Sequence, residues 1–227
     1  VDMVKESHKE GYLTVVPKAY SAKRNQNSVM LLRSGLFSPP KELDIPADGW
    51  EAGDLLAVTT TVAGTDVTLA SFHGDTNGLL TMPMLKRVAE HLPTDRLLFG
   101  MDANTYERQS KSTANVLEFE QLYQQLGFRS CWSKVDPSRY TTFNARTYLQ
   151  AQLNKAARST ELAEKGDRNP KDFVLFSKHF VAGRVWRDNT GRGEYVENMV
   201  FPTLEFPSDH AALAVDLMLL EPGKSEL

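Results

Sequence analysis

A chain of 227 residues with 41% hydrophobic and 24% charged residues has the composition of a globular protein that can bury a sizeable core, in one large domain or two small ones. The formal net charge of -3 excludes a general electrostatic attraction to nucleic acid or acidic membranes, so any such attraction must be local. The single cysteine, Cys131, excludes an internal disulfide framework and a cysteine-rich zinc site. An intracellular location is favoured, although a chain that begins at Val1 does not show its natural N-terminus.

Apolar periodicity and turn residues divide the chain into short helices and strands. Helices are predicted where apolar residues recur every three or four positions, at residues 3–10, 81–92 and 116–126. Strands are predicted where short apolar runs are bounded by turn residues, at residues 12–16, 28–33, 55–62, 67–72, 96–101, 128–132, 140–143, 173–177, 180–186 and 211–219. Strands outnumber helices, and the strands cannot all be hairpin partners, which predicts a layered α/β sandwich with mixed sheets.

Three local features refine this pattern. Residues 38–54 hold several prolines and glycines and are predicted to be a surface excursion. The strands at 55–62 and 67–72 are predicted to form a hairpin with residues 63–66 as its turn. Thr81 is predicted to cap the second helix, with Pro83 in its first turn, where a missing N–H costs little.

Polar side chains follow two of the predicted strands in the first half of the chain. Residues 71–78 read SFHGDTNG, where the glycines would let the backbone approach a ligand and His73 and Asn77 could contact phosphate oxygens; an ordinary turn is the alternative. Asp102 and Asn104 lie two residues apart at the end of the next strand and so point to one face. A carboxylate there could lie beside a metal or water and an amide beside phosphate, unless the two are simply turn formers.

Two further polar clusters lie in the second half of the chain. Asp172 opens an apolar strand, where it could accept the hydrogen bond that fixes a histidine tautomer. Asp209 and His210 follow a Pro-Ser turn and directly precede the last apolar strand, so both side chains are held at the rim of a rigid element. The alternatives are a solvated acid at a strand end and an ordinary loop-to-strand junction.

The four clusters occur in a fixed order, in which a histidine, Asp-x-Asn, Asp and Asp-His each lie at the end of an apolar strand. This pattern resembles the endonuclease/exonuclease/phosphatase superfamily, which is DNase-I-like. The similarity runs from about Tyr12 to the last strand, and Pro-Ser-Asp-His before an apolar strand is its most specific part. The resemblance implies an α/β (α+β) fold, a four-layer α/β sandwich with two mixed β-sheets, formed by one domain over residues 1–227. It also implies magnesium, or manganese, as the cofactor.

The resemblance further implies roles for the residues of the pattern that lie near the metal. Asp209 and Asp102 would be metal-site carboxylates, and Asp102 would also position or deprotonate the attacking water. Asn104 would hold that water or the phosphate. A hard cation with fixed donors is suited to phosphoester cleavage, because the reaction puts charge on oxygen atoms.

Roles at the phosphate are implied for the remaining three residues. His210 would bind the scissile phosphate or activate water, and Asp172 would orient the His210 ring. His73 would contact phosphate or assist the leaving group.

Three features depart from the family pattern. Met101 stands where the family usually has glycine, and Lys171 stands where it has an apolar residue. The family also begins with a strand that carries Asn and a strand that ends in Gln-Glu, whose Glu is the principal metal ligand. No such pair of strands is predicted before Tyr12, and Glu6 is a poor substitute. The expectation is therefore a domain truncated at its N-terminus, or one completed by an upstream segment or a second chain.

Residues 138–170 are predicted to be an insertion within this domain. They carry six basic residues against three acidic ones, the basic residues being Arg139, Arg146, Lys155, Arg158, Lys165 and Arg168. Together with interleaved aromatic residues, this local surplus predicts a clamp for a phosphate backbone or a headgroup, with Asn77, Arg139 and Arg146 as substrate-binding residues. A solvated helix over residues 147–165 is the alternative.

The leading interpretation is a divalent-metal-dependent phosphoester hydrolase, namely a phosphodiesterase that acts on nucleic acid as an endonuclease or exonuclease. One alternative is a phosphatase or phospholipase-type member that acts on inositol phosphates or sphingolipid headgroups. The other is a catalytically silent member used for binding. The pattern favours phosphoester chemistry over any one substrate, because substrate choice is set by loops on a shared core.

Overall fold

The structure is a computed structural model that describes residues 2–20, 27–46, 49–134, 136–144 and 167–220. Within these ranges the chain forms the helices α1 (Asp2–Lys9), α2 (Thr81–His91) and α3 (Val116–Gln125). The strands in the first half of the chain are β1 (Tyr12–Val15), β2 (Met30–Arg33), β3 (Lys41–Glu42), β4 (Leu55–Val62), β5 (Thr65–His73) and β6 (Leu97–Asp102). Those in the second half are β7 (Arg129–Ser130), β8 (Thr142–Asn144), β9 (Asp167–Asn169), β10 (Asp172–Phe176), β11 (Phe180–Asp188) and β12 (Ala212–Leu219).

A six-stranded mixed sheet in the order β3-β4-β5-β6-β10-β7 is the centre of the fold. Strands β5 and β6 run parallel, with α2 in the connection between them, and the other neighbouring strands run antiparallel. The predicted α/β architecture with a mixed sheet is therefore confirmed. Instead of a second large mixed sheet, the described residues form three two-stranded sheets, β1–β2, β8–β9 and β11–β12.

Helix α3 covers one face of the central sheet. Phe119 of this helix is fully buried and meets Phe173 of β10 edge-to-face, with ring centroids 5.1 Å apart. Phe99 and Leu175, which pair across β6 and β10, are also fully buried. Each such side chain contributes about 2 kcal/mol through removal from water, so the middle of the sheet is a rigid support for the residues at its end. Asp102 and Asp172 lie at that end, three positions beyond the Phe99–Leu175 pair.

The hairpin turn is shorter than predicted. Thr65 pairs with Val62 and Asp66 pairs with Thr61, so the turn consists of Ala63 and Gly64 rather than residues 63–66. Both turn residues have positive φ angles, 50° and 79°. Two-residue turns with this backbone match the twist of the flanking strands, which explains why β5 begins two residues early.

Two other local predictions were wrong. Thr81 does not cap α2; Leu80 is the N-cap without a side-chain hydrogen bond, and Thr81 Oγ1 donates to the carbonyl of Ala103 at 2.7 Å. Thr81 thus ties α2 to the segment that follows β6. Residues 38–54 are not wholly a surface excursion, because they supply β3 to the sheet edge and because Trp50 is buried.

The two ends of the predicted insertion pair with each other. Strands β8 and β9 are antiparallel, and Thr142 lies opposite Asn169. Arg146 and the alternative helix over residues 147–165 lie outside the described residues. In the part of the chain that is described, the helices are too short or too polar to cross a membrane.

Candidate active site

The register of three adjacent strands brings His73, Asp102 and Asp172 into one row. Asp102 of β6 lies opposite His73 of β5 and opposite Asp172 of β10. Residues directly opposite each other on neighbouring strands project from the same face of a sheet. The His73 Nε2 atom is 3.6 Å from Asp102 Oδ2. Three residues that the sequence places far apart therefore form one side of a site.

His210 lies over this row, immediately before β12. Its Nδ1 atom is 2.9 Å from Asp172 Oδ2 and 3.1 Å from Asp172 Oδ1, and its Nε2 atom is 3.7 Å from Asp102 Oδ2. The Ser208 hydroxyl accepts from the His210 N–H and donates to the His210 carbonyl, which fixes the backbone at this point. The backbone N–H of the next residue, Ala211, donates to the backbone carbonyl of Thr141 at 2.8 Å. His210 is thus held by both its ring and its main chain.

The charges of the row change the protonation of His210 and Asp102. Burial alone would lower the pKa of His210, but the hydrogen bond and charge of Asp172, with the charges of Asp102 and Asp209, raise it to about 9. Burial, followed by repulsion from Asp172, raises the pKa of Asp102. At neutral pH His210 is therefore an imidazolium whose Nδ1–H donates to Asp172 and whose Nε2–H is directed toward the side of Asp102.

The backbone of Asp172 is held by hydrogen bonds at both its N–H and its carbonyl. The Thr141 hydroxyl oxygen accepts from the N–H groups of Lys171 and Asp172, each at 3.0 Å. The Trp132 indole N–H donates to the Asp172 carbonyl at 3.2 Å. The role of Thr141 could not be predicted from the sequence, because this residue lies 31 residues before Asp172 and belongs to no local motif. Its partners are set by tertiary folding alone.

Asn104 holds the carboxylate of Asp102. Its backbone N–H donates to Asp102 Oδ1 at 2.9 Å, and its side-chain Nδ2 donates to Asp102 Oδ2 at 3.1 Å and to the Gly74 carbonyl at 3.0 Å. The residue is buried and has a φ of 46°, which asparagine tolerates better than most residues. Both amide hydrogens are thus engaged within the protein, so Asn104 orients Asp102 here rather than offering a free donor to phosphate.

The glycines of the 71–78 segment make room for the backbone of the site. A Cβ atom at Gly78 would lie 2.4 Å from the Asn104 carbonyl oxygen, and one at Gly74 would lie 3.1 Å from the Asp102 carbonyl oxygen. The Gly74 N–H donates to that same Asp102 oxygen at 2.8 Å. The geometry of Gly74 and Gly78 thus requires the close approach of this loop to the strand end, and the approach of the loop to a ligand stays a prediction.

The other predicted site residues lie outside this hydrogen-bonded cluster. Asp209 is exposed, although its charge acts on His210. The Asn77 side chain is exposed, and its carbonyl accepts from Ala114. The Arg139 guanidinium lies 5.5 Å from the centre of the Trp132 ring and 3.8 Å from Asp136.

The donor set is chemically suited to a hard divalent cation. Asp102, Asp172 and His210 each have one potential ligand atom, and these atoms lie within 4.8 Å of one another. Because both nitrogens of an imidazolium carry protons, the two carboxylates are the candidate ligands while His210 is charged. Carboxylate oxygens are the ligands that Mg²⁺ and Mn²⁺ favour, and none of the three residues is a thiolate. Both Asp172 oxygens face the ring nitrogen Nδ1 of His210, whereas both Asp102 oxygens accept hydrogen bonds from the neutral Asn104.

Comparison with known proteins identifies the fold. No protein-family model and no curated protein matches the sequence. A D. rerio TDP2 structure, solved with a single-strand DNA product, matches 96% of this chain and 80% of its own at 15% identity, with a TM-score of 0.59. An endonuclease/exonuclease/phosphatase family protein from Bacteroides thetaiotaomicron matches 97% and 79% at 14% identity, with a TM-score of 0.59. The chain has the DNase-I-like fold of the endonuclease/exonuclease/phosphatase superfamily.

A third structure with the same fold is a domain from a retrotransposon. The endonuclease domain of TRAS1, a telomere-specific non-LTR retrotransposon, matches 93% of this chain and 82% of its own at 13% identity, with a TM-score of 0.56. The resemblance inferred from four short motifs is thus confirmed at the level of the fold over nearly the whole chain. At these identities the likeness concerns the fold, and function rests on the side chains of the site.

Proposed function

We propose that this protein is a divalent-metal-dependent phosphoester hydrolase, and specifically a phosphodiesterase that acts on nucleic acid. The observation that carries the proposal is the Asp172–His210 pair, with a 2.9 Å hydrogen bond, set beside the carboxylate of Asp102. An acid that holds an imidazolium next to a second carboxylate can bind an anionic phosphate and position a water molecule within one small volume.

Asp102 is the residue we assign to the metal, with the exposed Asp209 as a second carboxylate. Asp172 is less suited, because both its oxygens face the His210 ring. When bound, Mg²⁺ or Mn²⁺ would supply positive charge that stabilises the negative charge developing on phosphate oxygens. Asn104 would keep the Asp102 carboxylate in one orientation, whether it faces the metal or the attacking water.

The two histidines, whose Nε2 atoms both lie near Asp102 Oδ2, would bind phosphate beside that oxygen. His210 would present its Nε2–H to a phosphate oxygen while Nδ1 stays bonded to Asp172, which preserves the tautomer and the positive charge. His73, whose Nε2 is 3.6 Å from Asp102 Oδ2, would contact phosphate or the leaving oxygen. Since these side chains are already fixed by strand register and hydrogen bonds, little reorganisation would be needed on substrate binding.

Nucleic acid is favoured as the substrate by two observations. The TDP2 structure holds a single-strand DNA product, and the TRAS1 domain is an endonuclease. The Arg168 guanidinium lies 5.2 Å from the centre of the partly exposed Tyr140 ring, and the exposed Arg139 covers the buried Trp132 ring. Basic side chains beside aromatic rings suit a strand that offers both phosphates and bases. Arg146 remains a predicted member of this surface.

Hydrolysis assays on one panel of substrates test the proposal. Single-stranded DNA, double-stranded DNA, RNA, an inositol polyphosphate and sphingomyelin vesicles would be incubated with Mg²⁺, with Mn²⁺ and with chelator. We expect nucleic acid cleavage that chelator abolishes and that His210→Ala reduces by about 100-fold or more. His179→Ala is the matched control, because His179 is also a half-buried histidine beside an aspartate, with Nε2 3.2 Å from Asp95, but lies outside the site.

Each other result has a definite meaning. Cleavage that chelator leaves unchanged would contradict the role of the metal. Hydrolysis of the inositol or sphingomyelin substrate alone would replace nucleic acid by the alternative substrate class. Nucleic acid binding without hydrolysis of any substrate would favour a catalytically silent member.

A further inference from the structure

Lys171 is a buried lysine beside the site, and the proposed chemistry does not use it. Only 9% of the residue is exposed, its Nζ atom lies 2.8 Å from Asn104 Oδ1, and it is 5.0 Å from the centre of the Tyr106 ring. Burial of an ammonium group is costly unless hydrogen bonds and nearby negative charge offset it. A buried lysine therefore needs hydrogen-bond acceptors within the protein. Asn104 Oδ1 is such an acceptor for Lys171.

The lysine determines which way the Asn104 carboxamide faces. An ammonium group has three donors and no acceptor, so it can contact the Oδ1 atom but not the Nδ2 group. With Oδ1 turned toward Lys171, Nδ2 is left to donate to Asp102 Oδ2 and to the Gly74 carbonyl. A flipped amide would place Oδ1 against the Asp102 carboxylate and Nδ2 against the ammonium, so both contacts would become repulsive.

Two backbone hydrogen bonds hold Lys171 in position beside Asn104. Its N–H donates to the Thr141 hydroxyl at 3.0 Å, and its carbonyl accepts from the Ala103 N–H at 2.7 Å. Ala103 lies between Asp102 and Asn104, so the lysine is tied to the same segment by its main chain and by its side chain. The segment is thereby clamped at two points.

We propose that Lys171 is a positioning residue for the Asp102 carboxylate and that it acts through Asn104. The ammonium fixes the amide, and the amide fixes the carboxylate that we assign to the metal and the attacking water. This inference rests on the proposed function for its catalytic consequence. Its structural part, the fixed orientation of Asn104, can be measured without any activity.

The first test measures that structural part by NMR. In the wild-type protein we expect a Lys171 ammonium signal that exchanges slowly with water and shows contacts to Asn104, together with Asn104 side-chain N–H signals shifted away from those of a solvated amide. In Lys171→Met, which keeps the aliphatic stem but removes the donors, the two Asn104 signals should broaden or move toward those of a solvated amide. Lys178→Met is the matched control, because Lys178 is an exposed lysine paired with Asp95 at 3.5 Å.

The second test measures hydrolysis by the same variants. Loss of a residue that supports a metal-binding or catalytic side chain typically costs about 10- to 100-fold in metal affinity or activity. We expect Lys171→Met to lower kcat by that factor with little change in KM, and Lys178→Met to leave both unchanged. A residue that served stability alone would lower the melting temperature without altering kcat in the fraction that remains folded.

The outcomes separate this inference from the proposed function. If wild-type protein hydrolyses nothing, the proposed function fails, and the NMR signals still decide whether Lys171 orients Asn104. If Lys171→Met does not fold, the wild-type ammonium signal alone decides. A Lys171 ammonium in rapid exchange with water, or unchanged Asn104 signals in the folded variant, would overturn the inference.

Discussion

Asp102 and Asp172 lie directly opposite each other at the end of the antiparallel strands β6 and β10, whose other paired residues are apolar or glycine. Like charges in this position destabilise a sheet, and burial increases the cost. The burial of Asp102 and the negative charge of Asp172 disfavour ionisation of Asp102, and both raise its pKa. The pair persists because His210 bridges the two carboxylates as a cation. A local conflict that the surroundings offset is typical of a functional site.

Replacement of Asp172 by asparagine should separate its two candidate roles. If Asp172 orients and charges His210, as we propose, Asp172→Asn should lower kcat by about 100-fold or more and leave Mg²⁺ affinity nearly unchanged. Calorimetric titration with Mg²⁺ and steady-state kinetics on the same preparation make the comparison. Asp102→Asn serves as the control that should lower metal affinity. An equal loss of Mg²⁺ affinity in both variants would instead make Asp172 a metal ligand.

The stability of the metal-free protein should depend on the ionisation of His210. Its pKa is about 9 in the folded protein, against 6.5 for the ordinary group, so its contribution is fully present below pH 6.5 and is lost as the pH rises to 9. Because the side chain is only 26% exposed, the contribution is on the order of 2 kcal/mol after allowance for screening.

This pH dependence is measured by urea unfolding with chelator present. The free energy of unfolding of the wild-type protein, minus that of His210→Gln, should decrease steadily between pH 6.5 and pH 9. A difference that stays constant over this interval would mean that His210 is not held as a cation by Asp172.

Much of this site could be predicted from the sequence because each of its acids and histidines adjoins a strand with a clear apolar pattern. Strand β6 reads as an apolar run that ends in Asp102, and β10 begins at Asp172, so both carboxylates could be assigned to strand ends before any register was known. Their direct pairing depends on β10 returning beside β6, and the parallel β5–β6 contact then adds His73. His73, Asp102 and Asp172 thus occur along the chain in the same order as their strands β5, β6 and β10 occur across the sheet.

The supporting residues could not be predicted because their partners are distant in sequence. Thr141 and Lys171 act through hydrogen bonds over 31 and 67 residues, and neither belongs to a local pattern. From the sequence, Lys171 could be recognised only as a charged residue at a position where the family has an apolar one; its contact with Asn104 could not. The sequence likewise indicated that small residues are needed at Gly74 and Gly78, but it could not show that the backbone of residues 102–104 is what approaches them.

Thr141 should be essential to the position of Asp172. It is fully buried, and its hydroxyl oxygen accepts from two N–H groups that would otherwise have no partner in the described surroundings. Thr141→Ala should therefore lower the free energy of unfolding by about 2–4 kcal/mol, because each buried donor left without a partner costs about 1–3 kcal/mol. Thr141→Ser keeps the hydroxyl and should lose less than half as much. Equal losses in urea unfolding would mean that packing of the methyl group dominates.

Two glycines with similar backbone geometry should respond very differently to alanine. Gly64 has a φ of 79° in the β4–β5 turn, and an added Cβ would have no atom within 4 Å. Gly78 has a φ of 69°, but an added Cβ would lie 2.4 Å from the Asn104 carbonyl oxygen and 2.9 Å from the Ala103 carbonyl oxygen. Backbone strain is thus common to both positions, and steric conflict with the site segment occurs at Gly78 alone of the two.

Gly64→Ala should lower the free energy of unfolding by about 1 kcal/mol, the usual cost of a positive φ for a residue with a side chain, and should leave hydrolysis unchanged. Gly78→Ala should cost roughly 3 kcal/mol or more, because backbone atoms must move to relieve the overlap. That movement displaces Asn104 and with it the Asp102 carboxylate. We therefore expect kcat in folded Gly78→Ala protein to fall by about 10- to 100-fold. Urea unfolding and kinetics of the two variants make the test, and full activity in Gly78→Ala would show that the Asp102–Asn104 segment tolerates displacement.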